Sequence, residues 1–356
     1  MKKQETTTRA FNPELLTIVR KSMGMTQADL AGELGMKQSH ISKIEAGLLS
    51  PPEEMMERLS DVTGYQKEFF FRDNRIFGIS AAIIYHRKRQ SIPIKVLDKI
   101  EAEVNLHRIH VEKLLRSVDA NECTIPSYDP DESEGPATIA AAVRALWMMP
   151  SGPVKNLVQR VEDAGAIVIP YDFGTKKMDG LSQWLPPLPP IFFINKMIPG
   201  DRWRFSLAHE LGHMVMHRMI PNPKMEDEAD EFAAEFLMPT RDITPALRWV
   251  TLDKLAELKM YWKVSMQSLI LRARDTGGIT DSTASYLYAQ MSKTGYRTRE
   301  PIDIPLEQAT MLQDIIEMYL NKLSYSVTDI CEMLAINGKV FDTLYDSKKS
   351  HLRLAH

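Results

Sequence analysis

Two histidines four residues apart bracket a glutamate in the run from Phe205 to His217, FSLAHELGHMVMH. On a helix this spacing puts the imidazoles of His209 and His213 on one face about one turn apart, a separation that a single zinc ion bridges. Glu210 then lies beside the ion without ligating it. A carboxylate there can take a proton from a zinc-bound water whose pKa has fallen to about 7, giving hydroxide for attack on a peptide carbonyl. A tetrahedral catalytic site needs a third protein ligand, and the stretch from Met225 to Pro239, MEDEADEFAAEFLMP, offers one. Glu226 and Asp230 share a helix face by i, i+4 spacing, together with Ala229 and Ala233, which leave room for a closely packed partner helix. Glu226 is read as the third ligand and Asp230 as the group that orients a ligating histidine from behind. Glu228, about 200° away around the helix, is the competing ligand. His217, four residues past His213, is open to three readings: a residue supporting the site from its second layer, a further ligand, or a core histidine.

A second constellation lies near the N-terminus. From Thr17 to Gly47 the chain reads TIVRKSMGMTQADLAGELGMKQSHISKIEAG, with Thr26 placed to cap a helix, Ala31 and Leu34 facing inward and Gly35 at a turn. The next helix, Gln38 to Ala46, turns Ile41 and Ile44 inward and leaves Lys37, Gln38, Ser39, His40, Ser42 and Lys43 outward. Such a helix fits the major groove, where glutamine pairs with adenine and lysine reaches guanine or phosphate.

The elements that must hold these residues follow from periodicity and punctuation. Four short helices are expected between Asn12 and Gly64. A long amphipathic helix over Ile94 to Val118 is expected to act as a connector, followed by an exposed acidic linker over 119–136 that carries six acids, three prolines and no base. Helices around Thr138–Met148 and from Pro153 to Gly165 precede strands at Ala166–Tyr171, Asp179–Trp184 and Ile191–Asn195, and the chain is helical after Ser206. This gives a mostly α protein with an α+β catalytic domain: an N-terminal helix-turn-helix bundle, a domain with a small mixed sheet, and a helical C-terminal region. The boundaries read as 11–70, 71–136 (connector and linker), 137–250 and 251–356. Ser326 to Tyr345 has helix-turn-helix-like spacing without a basic face and is read as part of a helical bundle.

The chain's 356 residues, 44% hydrophobic and 26% charged, suit two or three soluble domains. Two cysteines exclude a disulfide framework and a thiolate zinc site, so a metal must sit on His, Asp or Glu. The longest apolar run, Ile76 to Tyr85, is too short to span a bilayer, and no signal-peptide core is evident, so a cytoplasmic protein without a membrane partner is expected. A net charge of −3 excludes a globally basic nucleic-acid binder, and residues 1–64 hold eight bases against nine acids. Residues 65–91 carry a local +4, read either as phosphate contacts or as a solvated face.

The N-terminal pattern, Thr26-Gln27, Leu30-Ala31, Ile41-Ser42, Glu45 and Gly47, closely resembles the Xre/Cro-type helix-turn-helix family. That resemblance implies a double-stranded DNA operator, with Gln27 on a phosphate and Gln38, Ser39 and Lys43 facing bases. Lys37 and His40 complete the expected DNA-binding set, and one small reading helix implies a homodimer. RFSLAHELGHMVMH, followed by the Glu226 to Pro239 segment, resembles the ImmA/IrrE zinc metallopeptidases over roughly residues 140–245. This implies a zincin-like, gluzincin-type site with zinc on His209, His213 and Glu226, Glu210 as general base, and a strand edge in the Ile191–Asn195 region for the substrate. It also implies that the protein substrate is a helix-turn-helix repressor or antitoxin whose cleavage relieves repression. A transcription factor whose zinc domain senses a ligand or partner without catalysis is the alternative.

Overall fold

The computed structural model describes residues 10–78, 92–118, 122–217 and 223–345. The fold is mostly helical with one small mixed sheet, and it divides into two compact units. The first takes residues 10–78, 92–118 and 313–345, and the second takes 122–312, of the described chain. No described helix is long and apolar enough to cross a membrane.

The first unit opens with α1 (Pro13–Ser22). Its cap, Asn12, accepts a hydrogen bond from the Glu14 amide, and Pro13 stands in the first turn, where a missing N–H costs nothing. α2 (Gln27–Leu34) starts on a capping box. The Thr26 hydroxyl accepts from the Asp29 amide at 3.1 Å, the Asp29 carboxylate accepts from the Thr26 amide at 2.8 Å, and such a cap contributes about 1 kcal/mol. Gly35, at φ +65°, supplies the left-handed residue of the tight turn into α3 (Gln38–Glu45). Leu30, Ala31, Leu34, Ile41 and Ile44 close the two helices over a dry core. α4 (Glu53–Thr63) ends at Gly64, and a 3-10 turn, Lys67–Phe71, buries Phe69 and Phe70.

α5 (Ile94–Leu114) differs from the connector expected of it. Besides its apolar stripe it buries Asn105, His107, Arg108 and His110, and Asn105 clamps the Phe77 backbone through both its N–H (3.0 Å) and its C=O (2.9 Å). A helix buried on polar and apolar faces alike is a core element of its unit. Of the basic 65–91 stretch, Arg87, Lys88 and Arg89 lie outside the described residues.

The start of the second unit also departs from expectation. In place of an exposed linker, residues 124–128 are bound to their unit. The Thr124 amide donates to the Ala164 carbonyl and the Tyr128 amide to that of Val215, each at 2.9 Å, and Ile125 is buried. These hydrogen bonds and the buried isoleucine outweigh the acidic composition. α6 (Pro136–Leu146) and α7 (Leu157–Asp163) lead into the sheet of β1 (Ile167–Tyr171), β2 (Gly180–Gln183) and β3 (Ile191–Asn195), ordered β1-β3-β2. β3 runs parallel to β1, with Ile167 opposite Ile191, and antiparallel to β2, with Gly180 opposite Ile194. All five β3 residues are buried, so Ile191–Asn195 is the central strand, and the outer strand beside the HELGH helix is β2.

That helix, α8 (Gly200–Met216), packs along α9 (Met225–Leu237), with Gly212 letting the two approach: a Cβ there would lie 3.1 Å from the Phe232 ring. Ala229 and Ala233 are fully buried. A short α10 (Thr240–Ile243) precedes α11 (Leu252–Trp262), α12 (Met266–Asp275) and α13 (Asp281–Lys293), whose Leu255, Leu269, Ile270 and Leu287 complete the same core. The chain after α13 is pinned by carboxylates. Glu300 pairs with the buried Lys259 at 2.6 Å and accepts from the Met266 amide, while Glu307 pairs with the buried Arg204 and accepts from the Leu157 and Val158 amides. Gly200 is required where this segment crosses α8, since a Cβ would meet the Ile304 carbonyl at 2.1 Å.

The last helices, α14 (Met311–Asn321), α15 (Val327–Leu334) and α16 (Gly338–Tyr345), lead back to the first unit. The Tyr319 hydroxyl donates to the Leu114 carbonyl at the end of α5, at 2.7 Å. The 251–356 stretch, expected as one helical region, is therefore divided among its described residues: α11 to α13 belong to the second core and residues 313–345 to the first unit.

Candidate functional site

α8 and α9 bring His209, His213 and Glu226 together, with one ligand atom from each within 4.8 Å of the others. The His209 and His213 Nε2 atoms are 3.0 Å apart, and the Glu226 carboxylate oxygens stand 3.7 Å from the first and 3.5 Å from the second. His213 and Glu226 are buried, while His209 keeps a partly exposed edge.

The hydrogen bonds behind the imidazoles fix which nitrogens carry protons. His209 Nδ1 faces Asp230 Oδ1 at 2.8 Å, and a carboxylate only accepts, so Nδ1 bears the hydrogen and Nε2 of the neutral ring presents a lone pair. His217 Nε2 lies 2.8 Å from Glu228 Oε2 and donates to it by the same logic, leaving His217 Nδ1 as an acceptor. His213 Nδ1, 2.9 Å away, donates to that acceptor, so His213 Nε2 also presents a lone pair. Two lone pairs and a carboxylate aimed at one point repel one another unless a cation lies among them. Nitrogens on a tetrahedral zinc, each about 2.1 Å from it, stand about 3.4 Å apart, a few tenths from the spacing here. The donor set fits a zinc ion.

Burial pushes His209 down, but the Asp230 hydrogen bond and the charges of Glu210, Asp230 and Glu226 outweigh it and hold its pKa above the usual imidazole value. Burial holds that of His217 below the usual value, opposed in part by its bond to Glu228. Glu228 thus stands apart from the three converging groups, and His217 lies between Glu228 and His213.

Glu210, almost fully buried, sits against β2. The Ser182 hydroxyl donates to Glu210 Oε2 at 2.6 Å, and Gly180 leaves room for the carboxylate, since a Cβ there would come 3.0 Å from Glu210 Cγ. Neither residue was among the expected site residues. The signal available was the strand itself: period-two alternation puts Gly180 and Ser182 on one face.

In the first unit, Lys37, Gln38, Ser39, His40 and Lys43 are exposed on α3 and Gln27 is half-buried beside them. Gln38 Nε2 donates to Gln27 Oε1 and Gln27 Nε2 to Glu45 Oε2, both at 2.8 Å. Glu45 is in turn held by Arg20 through two bonds of 2.6 and 2.9 Å. This chain orients Gln27 and Gln38 from a buried ion pair, and Arg20 is a member that the sequence reading missed.

Comparison with known families places two domains on the chain. Residues 16–70 match the model described as helix-turn-helix, and residues 161–274 match a peptidase family model described as IrrE N-terminal-like domain. The chain therefore joins an Xre-like helix-turn-helix domain to an IrrE/ImmA-like domain. Comparison with curated proteins gives no match.

Proposed function

We propose that the protein is a DNA-binding regulator carrying a zinc-dependent endopeptidase, which cuts a helix-turn-helix repressor or antitoxin and so relieves repression. The observation behind this reading is the convergence of three acceptor groups, His209, His213 and Glu226, next to a carboxylate that ligates nothing in the group. Zinc held by those three residues would lower the pKa of a water and polarise a peptide carbonyl. Glu210 accepts the water's proton and later returns it to the leaving amine. Ser182 engages Oε2, which leaves Oε1 to take that proton. Asp230 and His217 hold the two imidazoles in the tautomer that presents Nε2. The outer strand β2 offers the substrate a main-chain edge, so an extended peptide can add as a further strand. On the DNA side, Gln38, Ser39 and Lys43 face bases, Gln27, Lys37 and His40 flank them, and a homodimer reads two half-sites.

The test is incubation of the zinc-loaded full chain with a panel of helix-turn-helix repressors and an unrelated control protein, followed by mass spectrometry of the new termini. A discrete cut in one or more repressors is expected. Metal retention with no cut in any of them would favour a non-catalytic sensor instead.

A further inference from the structure

α14, α15 and α16 repeat the backbone of α1, α2 and α3 three hundred residues later. Ser324 at φ +60° stands where Gly24 stands at φ +68°. Ser326 and Asp329 form a capping box with bonds of 2.7 and 3.1 Å, against 2.8 and 3.1 Å for Thr26 and Asp29. Val327–Leu334 has the length of Gln27–Leu34, and both helices close on a left-handed residue, Ala335 at φ +57° and Gly35 at φ +65°. The bond that shuts the turn, Ile336 amide to Cys331 carbonyl at 3.0 Å, matches Met36 to Ala31 at 2.8 Å. Gly338–Tyr345 then matches Gln38–Glu45. The buried positions correspond as well: Ile330, Cys331, Leu334 and Phe341 for Leu30, Ala31, Leu34 and Ile41. From 26–45 to 326–345 only Asp29/Asp329 and Leu34/Leu334 are identical, which is why no repeat is visible in the sequence.

The surface chemistry has diverged where the backbone has not. The polar chain that orients the reading helix of the first copy, Gln38–Gln27–Glu45, is replaced by Gly338, Val327 and Tyr345. Tyr345 points inward, its hydroxyl 2.7 Å from Nδ1 of the fully buried His110 on α5. The turn that leads into the second helix is occupied. The Gln66 amide donates to the Ala335 carbonyl at 2.9 Å, the Asn337 amide to the Gly64 carbonyl at 2.7 Å, and Gln66 Nε2 to the Ile336 carbonyl at 3.1 Å. Gly64 fits so closely that a Cβ would lie 2.6 Å from Val340 in the first turn of α16. A helix-turn-helix reads DNA with the N-terminal turn of its second helix, and here that turn faces residues 64–66. Those residues follow α4 and continue into Lys67–Phe71, whose Phe70 carbonyl accepts the Asn12 amide at the start of α1.

We propose that residues 311–345 are a second helix-turn-helix, an internal copy of the first, that serves as a built-in docking partner and not as a DNA reader. Its turn clasps Gly64–Gln66 and thereby holds α4, the 3-10 turn and the start of α1. That face of the first module is filled from within the chain, so homodimer contacts must use a different face, and one chain supplies one reading helix. The DNA half of the proposal rests on the function proposed above; the clasp does not.

The test uses the full-length protein in two arms. Hydrogen exchange is compared between wild type and Ser326→Ala, which removes a cap of the copy without touching the first module. Exchange over 64–72 should rise at least about fivefold while 165–215 is unchanged. Faster exchange confined to 326–345 would overturn the clasp. If Ser326→Ala does not fold, Tyr345→Phe, which removes only the hydroxyl facing His110, is judged by the same criterion. In the second arm, the Lys339→Ala, Thr343→Ala double variant should bind operator within about twofold of wild type, while Gln38→Ala alters preference. Loss of operator affinity in the double variant with unchanged exchange over 64–72 would make the copy a reader and refute the proposal. If wild type binds no DNA, the reading of α3 fails, and the exchange arm alone decides for or against the clasp.

Discussion

His217→Phe is the sharpest probe of the proposed metal centre, because it keeps a flat aromatic ring and removes both nitrogens. In the wild type His213 Nδ1 donates to His217 Nδ1 at 2.9 Å, and His217 is fixed by Glu228 at 2.8 Å, with the His217 side chain 1% exposed and Glu228 14%. Replacing the acceptor with a phenyl ring strands the His213 Nδ1–H in a site that water does not reach easily, and an unsatisfied buried donor costs about 1–3 kcal/mol. That cost appears whenever the ring holds the tautomer that presents Nε2, so it falls on zinc affinity. The expected loss is therefore near the upper end of the ten- to hundredfold typical of residues behind metal ligands, or about 2.7 kcal/mol. Asp230→Asn at the other histidine should cost less, near about tenfold, because the Asp230 side chain is 59% exposed and water can replace it. Competition with a chromophoric chelator at fixed pH measures both. Zinc affinity in His217→Phe within about twofold of wild type, or a larger loss in Asp230→Asn, would refute the proton assignment on which this rests.

Ser182→Ala should keep zinc and lower kcat by about tenfold, since the base loses the hydroxyl that orients it; a change in zinc content or in KM alone would place Ser182 elsewhere. Gln38→Ala should change operator preference more than total affinity, because it removes the amide proposed to face bases, which is anchored through Gln27 and Glu45; selection from a random-sequence pool checks this, and an unaltered consensus would remove Gln38 from base contact. The first unit should lose stability in acid. Burial holds His107 at about 4 against an ordinary 6.5, and His110 well below, through burial first and then the charges of His107 and Arg72. The unfolded chain therefore binds more protons below pH 6.5. The stabilisation is complete above that pH and is lost as pH falls towards 4, on the order of 3 kcal/mol for His107 alone. Denaturant unfolding of wild type and His107→Gln across this range checks the sign; a wild-type slope matched by the variant would remove His107 as its source.

The elements carrying the chemistry were legible because their signals are local. The i, i+4 histidines, the Thr26–Asp29 cap and the Gly35 turn each report a backbone geometry within a few residues, and β3 lies at the bounds its apolar run suggests. What escaped depends on tertiary partners. The 119–136 segment reads as a linker because composition does not reveal the Ala164 and Val215 carbonyls that bind Thr124 and Tyr128. β3 looked available to a substrate, yet the order β1-β3-β2 places it in the centre and hands the outer edge to β2, with Ser182 beside Glu210. The 326–345 segment shows helix-turn-helix spacing in the sequence but reads as plain bundle for want of a basic face, and its correspondence to 26–45 is masked because the cap, the turn and the core positions tolerate Ser for Thr, Ala for Gly and Phe for Ile.

The central claim is that Glu210 removes a proton from the attacking water at a metal held by His209, His213 and Glu226. Its most direct test measures zinc content and repressor cleavage on the same preparations of wild type and Glu210→Gln. About one zinc per chain is expected in both, and a cut repressor only with wild type, because the amide cannot accept the proton. A Glu210→Gln chain that still turns over, or a wild-type chain that holds zinc and never cuts while its operator binding responds to the metal, would contradict it.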